Sequence, residues 1–168
     1  ATNFEKAMGQ LYRDKLNVAR ASFKPQPPVI QDSIQEAISA LQGAKSAETQ
    51  EAVAKLQDIY GRLSGIDLKE FGEFTPTTKM ILEGRGVAQW ERMSPQRQFD
   101  LLKDSRETLD AALAQVYDPK TKKPKGALST AEKALYGVRK EIDGLLKGAD
   151  EMAENDATYK AFVPVRNL

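Results

Sequence analysis

The chain has 168 residues with 25 Lys and Arg against 24 Asp and Glu, and 40% of its residues are hydrophobic, 29% charged and 7% aromatic. This is too apolar for a disordered chain, and the charge is spread evenly, −1 over residues 1–84 (10 basic, 11 acidic) and +2 over residues 85–168 (15 basic, 13 acidic), without the clustered basic excess of a typical nucleic-acid binder. Cysteine and histidine are both absent, which excludes disulfides, thiolate nucleophiles, metal sites built on Cys or His, and the commonest general base.

No run approaches the ~18 apolar residues of a membrane span, and none has the form of a signal peptide, so a soluble chain is expected. The sequence opens at Ala1 without an initiator Met and closes on Arg166-Asn167-Leu168. The expectation is a domain cut from a longer protein, with a processed mature chain as the alternative.

Phe4, Met8, Leu11, Tyr12, Ala19 and Phe23 fall at helical spacings and predict a first helix from about Asn3 to Ser22. Lys24-Pro25-Gln26-Pro27-Pro28 then breaks it, because proline lacks the amide proton a helix interior needs and favours an extended connector. Ile30, Ile34, Ala37, Ile38 and Leu41 restart the period, with a stop expected near Gly43. Ser46 is positioned to cap a third helix with Val53, Leu56, Ile59, Tyr60 and Leu63 on one face and Gly65 at its end, so the second and third helices read as an αα-hairpin.

Ile66 to Phe74 alternates apolar positions but has no strand partner, and reads as a packed loop. Thr75-Pro76 looks like an N-cap followed by proline at the first helical position, opening a short helix that Gly84-Arg85-Gly86 is expected to break. Trp90, the single tryptophan, lies just beyond; it reads as a core residue, with an anchor for a protein partner as the alternative.

The clearest pattern lies further on. After Ser94-Pro95, residues Phe99, Leu102, Arg106, Leu109, Leu113 and Val116 recur at steps of three and four, and so do Leu128, Ala131, Leu135, Val138, Ile142, Leu145, Ala149 and Met152 after a Ser129-Thr130-Ala131-Glu132 capping box. Two long antiparallel helices are expected to pack along these seams, with Gly148 closing or kinking the second. Their polar connection, Asp118 to Gly126, carries Lys120, Lys122, Lys123 and Lys125, a candidate site for an anionic partner such as DNA or else a solvated loop tip.

The two helices also share an internal similarity, since Leu102, Arg106, Leu109, Asp110 and Leu113 match Leu135, Arg139, Ile142, Asp143 and Leu146 at an offset of 33 residues. Either a helical unit was duplicated, or two amphipathic helices converged on one pattern, with Arg and Asp four apart forming ordinary pairs along each helix surface. The acidic residues sit singly on polar faces, and the Glu-x-x-His pairs of a di-iron bundle cannot occur in a chain without histidine. No candidate catalytic, cofactor-binding or metal-ligating residue emerges.

Over Phe99 to Phe162, the runs FDLLKDSRETLDAAL, EKALYGVRKEIDGLL and NDATYKAF, the last with Asp156, Tyr159 and Phe162, resemble helical segments of large proteins encoded by tailed bacteriophages and prophages. The resemblance implies a structural or ejected virion protein whose helical modules pack against other copies or accompany DNA into the host. It carries over no site residues.

The expected architecture is therefore all-α, an elongated bundle of about six helices ending in a long antiparallel helical hairpin. Residues 1–74 and 75–168 form two units or a single domain. The expected function is a non-enzymatic structural or protein–protein interaction module, without cofactor or evident small-molecule substrate, working through protein partners or self-association. The alternatives are a nucleic-acid-associated helical module, or a regulatory domain attached to an enzyme elsewhere in a longer chain.

Overall fold

The computed structural model describes the backbone of residues 2–65, 76–118, 120–121 and 123–166, and the side chains among them other than 76–79, 82–83 and 149–166. The fold is all-α. Among the described residues there are six helices, α1 (Asn3–Ser22), α2 (Val29–Leu41), α3 (Ala47–Ser64), α4 (Pro76–Arg92), α5 (Pro95–Ala112) and α6 (Thr130–Arg166), with a two-residue antiparallel ladder of β1 (Tyr117–Asp118) and β2 (Lys123–Pro124) between the last two. The packed loop expected over Ile66 to Phe74, and the cap expected at Thr75, lie outside the described residues.

Each helix end follows from local chemistry. Thr2 and Glu5 close a capping box at the start of α1, an arrangement the apolar spacing did not reveal, and Ser46 and Ser94 accept from the amides of Thr49 and Arg97. Ser129 and Glu132 exchange the two hydrogen bonds of the capping box read at the start of α6. Gly65 ends α3 at φ +68°, a left-handed conformation in which a side chain would strain the backbone.

The glycine pair does not break α4. The helix runs unbroken through Gly84, Arg85 and Gly86 to Arg92, correcting the expected break. The physical reason is packing: a Cβ at residue 86 would stand 3.0 Å from Ser64 Cβ and 3.6 Å from the Tyr60 hydroxyl, so the missing side chain lets α4 cross close to α3. Glycine costs a helix about 1 kcal/mol relative to alanine, which tertiary contact can offset. Nor does Gly148 close α6, which continues to Arg166.

One continuous core joins Ala19, Phe23, Ile30, Ile34, Leu56, Leu63, Trp90, Leu102, Leu109, Ile142 and Leu146, spanning both sides of residue 75. Helix α6 organises it, touching α1, α2, α3 and α5. The expected hairpin of α5 and α6 packs as read, with Leu102, Leu109, Leu113, Leu135, Val138 and Ile142 buried. At the far end the seam shifts, and Leu146 is buried where Leu145 is half-buried. A straight helix at 3.6 residues per turn drifts by about 20° per heptad against a strict seven-residue repeat, enough to move the buried position by one.

Candidate functional site

Among the described residues, three places could act on other molecules: the apolar face of α1, the lysine-bearing tip between α5 and α6, and a cleft bounded by α2, α3 and α4.

The first is built by periodicity. Phe4, Met8, Leu11 and Tyr12 share one side of α1, as residues four, seven and eight apart must, and all four are exposed, at 73%, 51%, 48% and 62%. Only the last turns of the helix enter the core, through Ala19 and the following Phe23, whose ring meets Phe99 edge-on at 5.5 Å. The expected apolar face of the first helix therefore divides in two. Arg20 marks the junction, its Nε–H shared between the two carboxylate oxygens of Asp100 at 3.0 and 3.1 Å, and this hydrogen bond and charge hold its guanidinium pKa above the usual value.

At the tip, Lys120, Lys123 and Lys125 are exposed; Lys122 lies outside the described residues. The short ladder pairs Tyr117 with Pro124 and Asp118 with Lys123, and Asp118 accepts from the Lys120 amide at 2.9 Å. The hairpin thus presents its lysines outward, with one carboxylate tied into the turn beside them.

The cleft encloses about 390 Å³ and is lined by Gln31, Asp32 and Gln35 of α2, Tyr60 of α3, and Met80, Gly84 and Val87 of α4. Gln35 donates to the Tyr60 hydroxyl at 2.9 Å. The amide of Gln31 is shut away from solvent and has no partner among the described residues, while Asp32 beside it is exposed.

Trp90 lies in the core and not on a surface. It is wholly buried, and its indole N–H donates to the carbonyl of Gln26 at 2.7 Å. Gln98 completes the arrangement, accepting from the Gln26 amide at 2.9 Å and donating to the Trp90 carbonyl at 3.0 Å. These bonds pin the proline-rich connector against the end of α4. The core reading of this tryptophan holds, and the residue anchors the protein's own chain in place of a partner.

The internal similarity has a structural consequence that sequence spacing did not show. Arg106 reaches across to Asp143 at 2.8 Å, and Arg139 reaches back to Asp110 at 2.8 Å, so equivalent residues of the two segments pair reciprocally between helices. Along α6, Arg139 also approaches Asp143, at 3.5 Å. The expected pair along the helix is kept at Arg139 and Asp143, and a cross-helix lock is added to it, because both Arg–Asp sets face the seam. Arg139 also lies 4.7 Å from the centre of the Tyr117 ring, and burial raises the Tyr117 phenol above its usual pKa while the guanidinium lowers it.

Among the described residues no group of three or more acidic side chains is placed to hold a metal, and no helix is long and apolar enough to cross a membrane. No family model, no curated protein and no solved structure matches the chain.

Proposed function

We propose that this chain is a non-enzymatic structural module that acts by protein–protein contact, with the outer face of α1 as its contact surface. The observation that carries this reading is the row of Phe4, Met8, Leu11 and Tyr12 standing exposed beside a core that α1 enters only at its C-terminal end. Large apolar side chains gathered on one exposed face mark sites where another molecule packs, whereas single ones are ordinary. Their helical spacing suits an apolar helical surface. The resemblance of Phe99 to Phe162 to tailed-bacteriophage and prophage proteins supports the same class of role, a virion component built from packed helical modules.

The test is whether the stripe is dispensable for folding. Replacing Phe4, Met8 and Leu11 together by Gln should leave helix content and melting temperature close to those of the parent, as surface substitutions change stability by only about 0.5 kcal/mol. A large loss of stability would show that the stripe belongs to the fold itself, and the reading would fall.

A second reading is association with nucleic acid through the tip, favoured by the outward placement of Lys120, Lys123 and Lys125. Binding of a DNA duplex would then weaken steeply with salt, as counterions are released from phosphates, and would be lost on replacing the three lysines by Ala. Absence of a salt-dependent mobility shift removes this reading.

A further inference from the structure

Beyond the α1 contact surface, we infer that the cleft bounded by α2, α3 and α4 binds a small uncharged ring compound carrying a cis amide, with N–H and C=O on the same side. The cleft has about 390 Å³ of room, inside the range of ~300–1,000 Å³ common among small-ligand sites. Gln31 is the residue that calls for a ligand. It belongs to the cleft lining at 3% exposure, and neither its amide nitrogen nor its amide oxygen has a hydrogen-bond partner among the described residues. A buried amide left unpaired in this way costs a fold stability, and most buried polar side chains avoid it. Gln35, one turn further along α2, donates to the Tyr60 hydroxyl at 2.9 Å, whereas Gln31 keeps both a donor and an acceptor in hand. Its amide is shut away from solvent, and it reaches a ligand by turning about its own side-chain torsions. That movement breaks no hydrogen bond, because the amide makes none.

The chemistry of the lining sets the class of compound. A primary amide holds its N–H donors and its C=O acceptor in one plane, so its two-point complement is a second amide with both groups on one side, as a lactam ring enforces. Met80 and Val87 supply apolar surface for the ring, and Gly84 leaves the α4 wall open, since a Cβ built there would meet nothing within 4 Å. Asp32 is the charged residue of the lining, and its exposed carboxylate disfavours phosphates and carboxylates.

The experiment titrates caprolactam, whose ring holds its amide cis, into the isotope-labelled full chain and follows the side-chain amide resonances of Gln31 by NMR. Gln31→Met identifies those resonances by deleting them. They should shift saturably with caprolactam but not with N-methylcaprolactam, which lacks the donor. In Gln31→Met, binding read at the Val87 backbone amide should weaken about tenfold, because two hydrogen bonds are lost. Gly84→Phe, which extends a ring from the open α4 wall, should abolish binding with helix content unchanged. Gln31 resonances that stay in place throughout the titration would show a packing residue only and overturn the site. An equal response to N-methylcaprolactam, or undiminished affinity in Gln31→Met, overturns the cis-amide contact, and binding that survives Gly84→Phe overturns the cleft as its place.

Discussion

Arg139 of α6 donates through Nε to Oδ1 of Asp110 on α5 at 2.8 Å, with its side chain only 7% exposed and that of Asp110 34% exposed. Removing one member of a buried pair leaves the other charge uncompensated, at a cost of roughly 3–5 kcal/mol. Because Asp110 keeps some access to water, Arg139→Ala is expected near the lower end of that range. Arg106→Ala should cost less, since Arg106 is 23% exposed and Asp143 keeps Arg139 nearby. A double-mutant cycle over Arg139 and Asp110 in urea denaturation checks the lock, and a coupling energy indistinguishable from zero would show that the two residues do not act together.

The seam between α5 and α6 should dominate stability in this half of the protein. Leu109 and Ile142 are fully buried, so truncating either to Ala is expected to cost roughly 2–5 kcal/mol, whereas Lys123→Ala at the exposed tip should stay within about 0.5 kcal/mol. Urea midpoints for the three variants decide the matter. Similar losses in all three would contradict the packing.

Two glycines of α4 should respond in opposite directions to the same substitution. At Gly84 an added Cβ meets nothing within 4 Å, so Gly84→Ala should stabilise by up to about 1 kcal/mol through helix propensity. At Gly86 it would meet Ser64 Cβ at 3.0 Å, and overpacking of this kind costs roughly 1–3 kcal/mol. Thermal melts of both variants provide the comparison; stabilisation by Gly86→Ala would show that α3 and α4 do not approach so closely.

Gln31 and Tyr117 are buried with polar atoms that have no partner among the described residues. Gln31→Met keeps the length of the side chain and removes an unsatisfied amide, and Tyr117→Phe removes an unsatisfied hydroxyl, so each is expected to be neutral or to stabilise by about 1 kcal/mol. A clear loss from either in chemical denaturation would reveal a partner for that polar group.

Alkaline pH gives a separate test of Tyr117. Its phenol is raised above the ordinary value of 10.0, first by burial and then by the carboxylates of Asp110 and Asp143, with Arg139 opposing. A group whose pKa is higher when folded contributes stability that is complete below its unfolded pKa and is lost as pH rises through the folded value. Stability should therefore fall above about pH 10, and Tyr117→Phe should flatten that decline in denaturation midpoints measured across the alkaline range. An identical decline in the variant would assign it to other groups.

The helices were legible in the sequence because their causes are local. Three-and-four spacing, the Ser129 and Glu132 capping box, Ser46, and the left-handed Gly65 act within one or two turns and need no distant partner. Where one local signal competed with packing, local reading failed: Gly84 and Gly86 weaken an isolated helix, yet the close approach of Ser64 makes residue 86 a place where a side chain would intrude. Periodicity also groups Phe4, Met8, Leu11 and Tyr12 on one face without saying whether that face turns toward the core, since an inward stripe and an outward one have the same spacing. The tertiary structure alone sends those four outward. It alone brings Arg106 to Asp143 and Arg139 to Asp110 across the seam, because which carboxylate a guanidinium reaches depends on the distance between two helices, a quantity that no spacing within either helix contains.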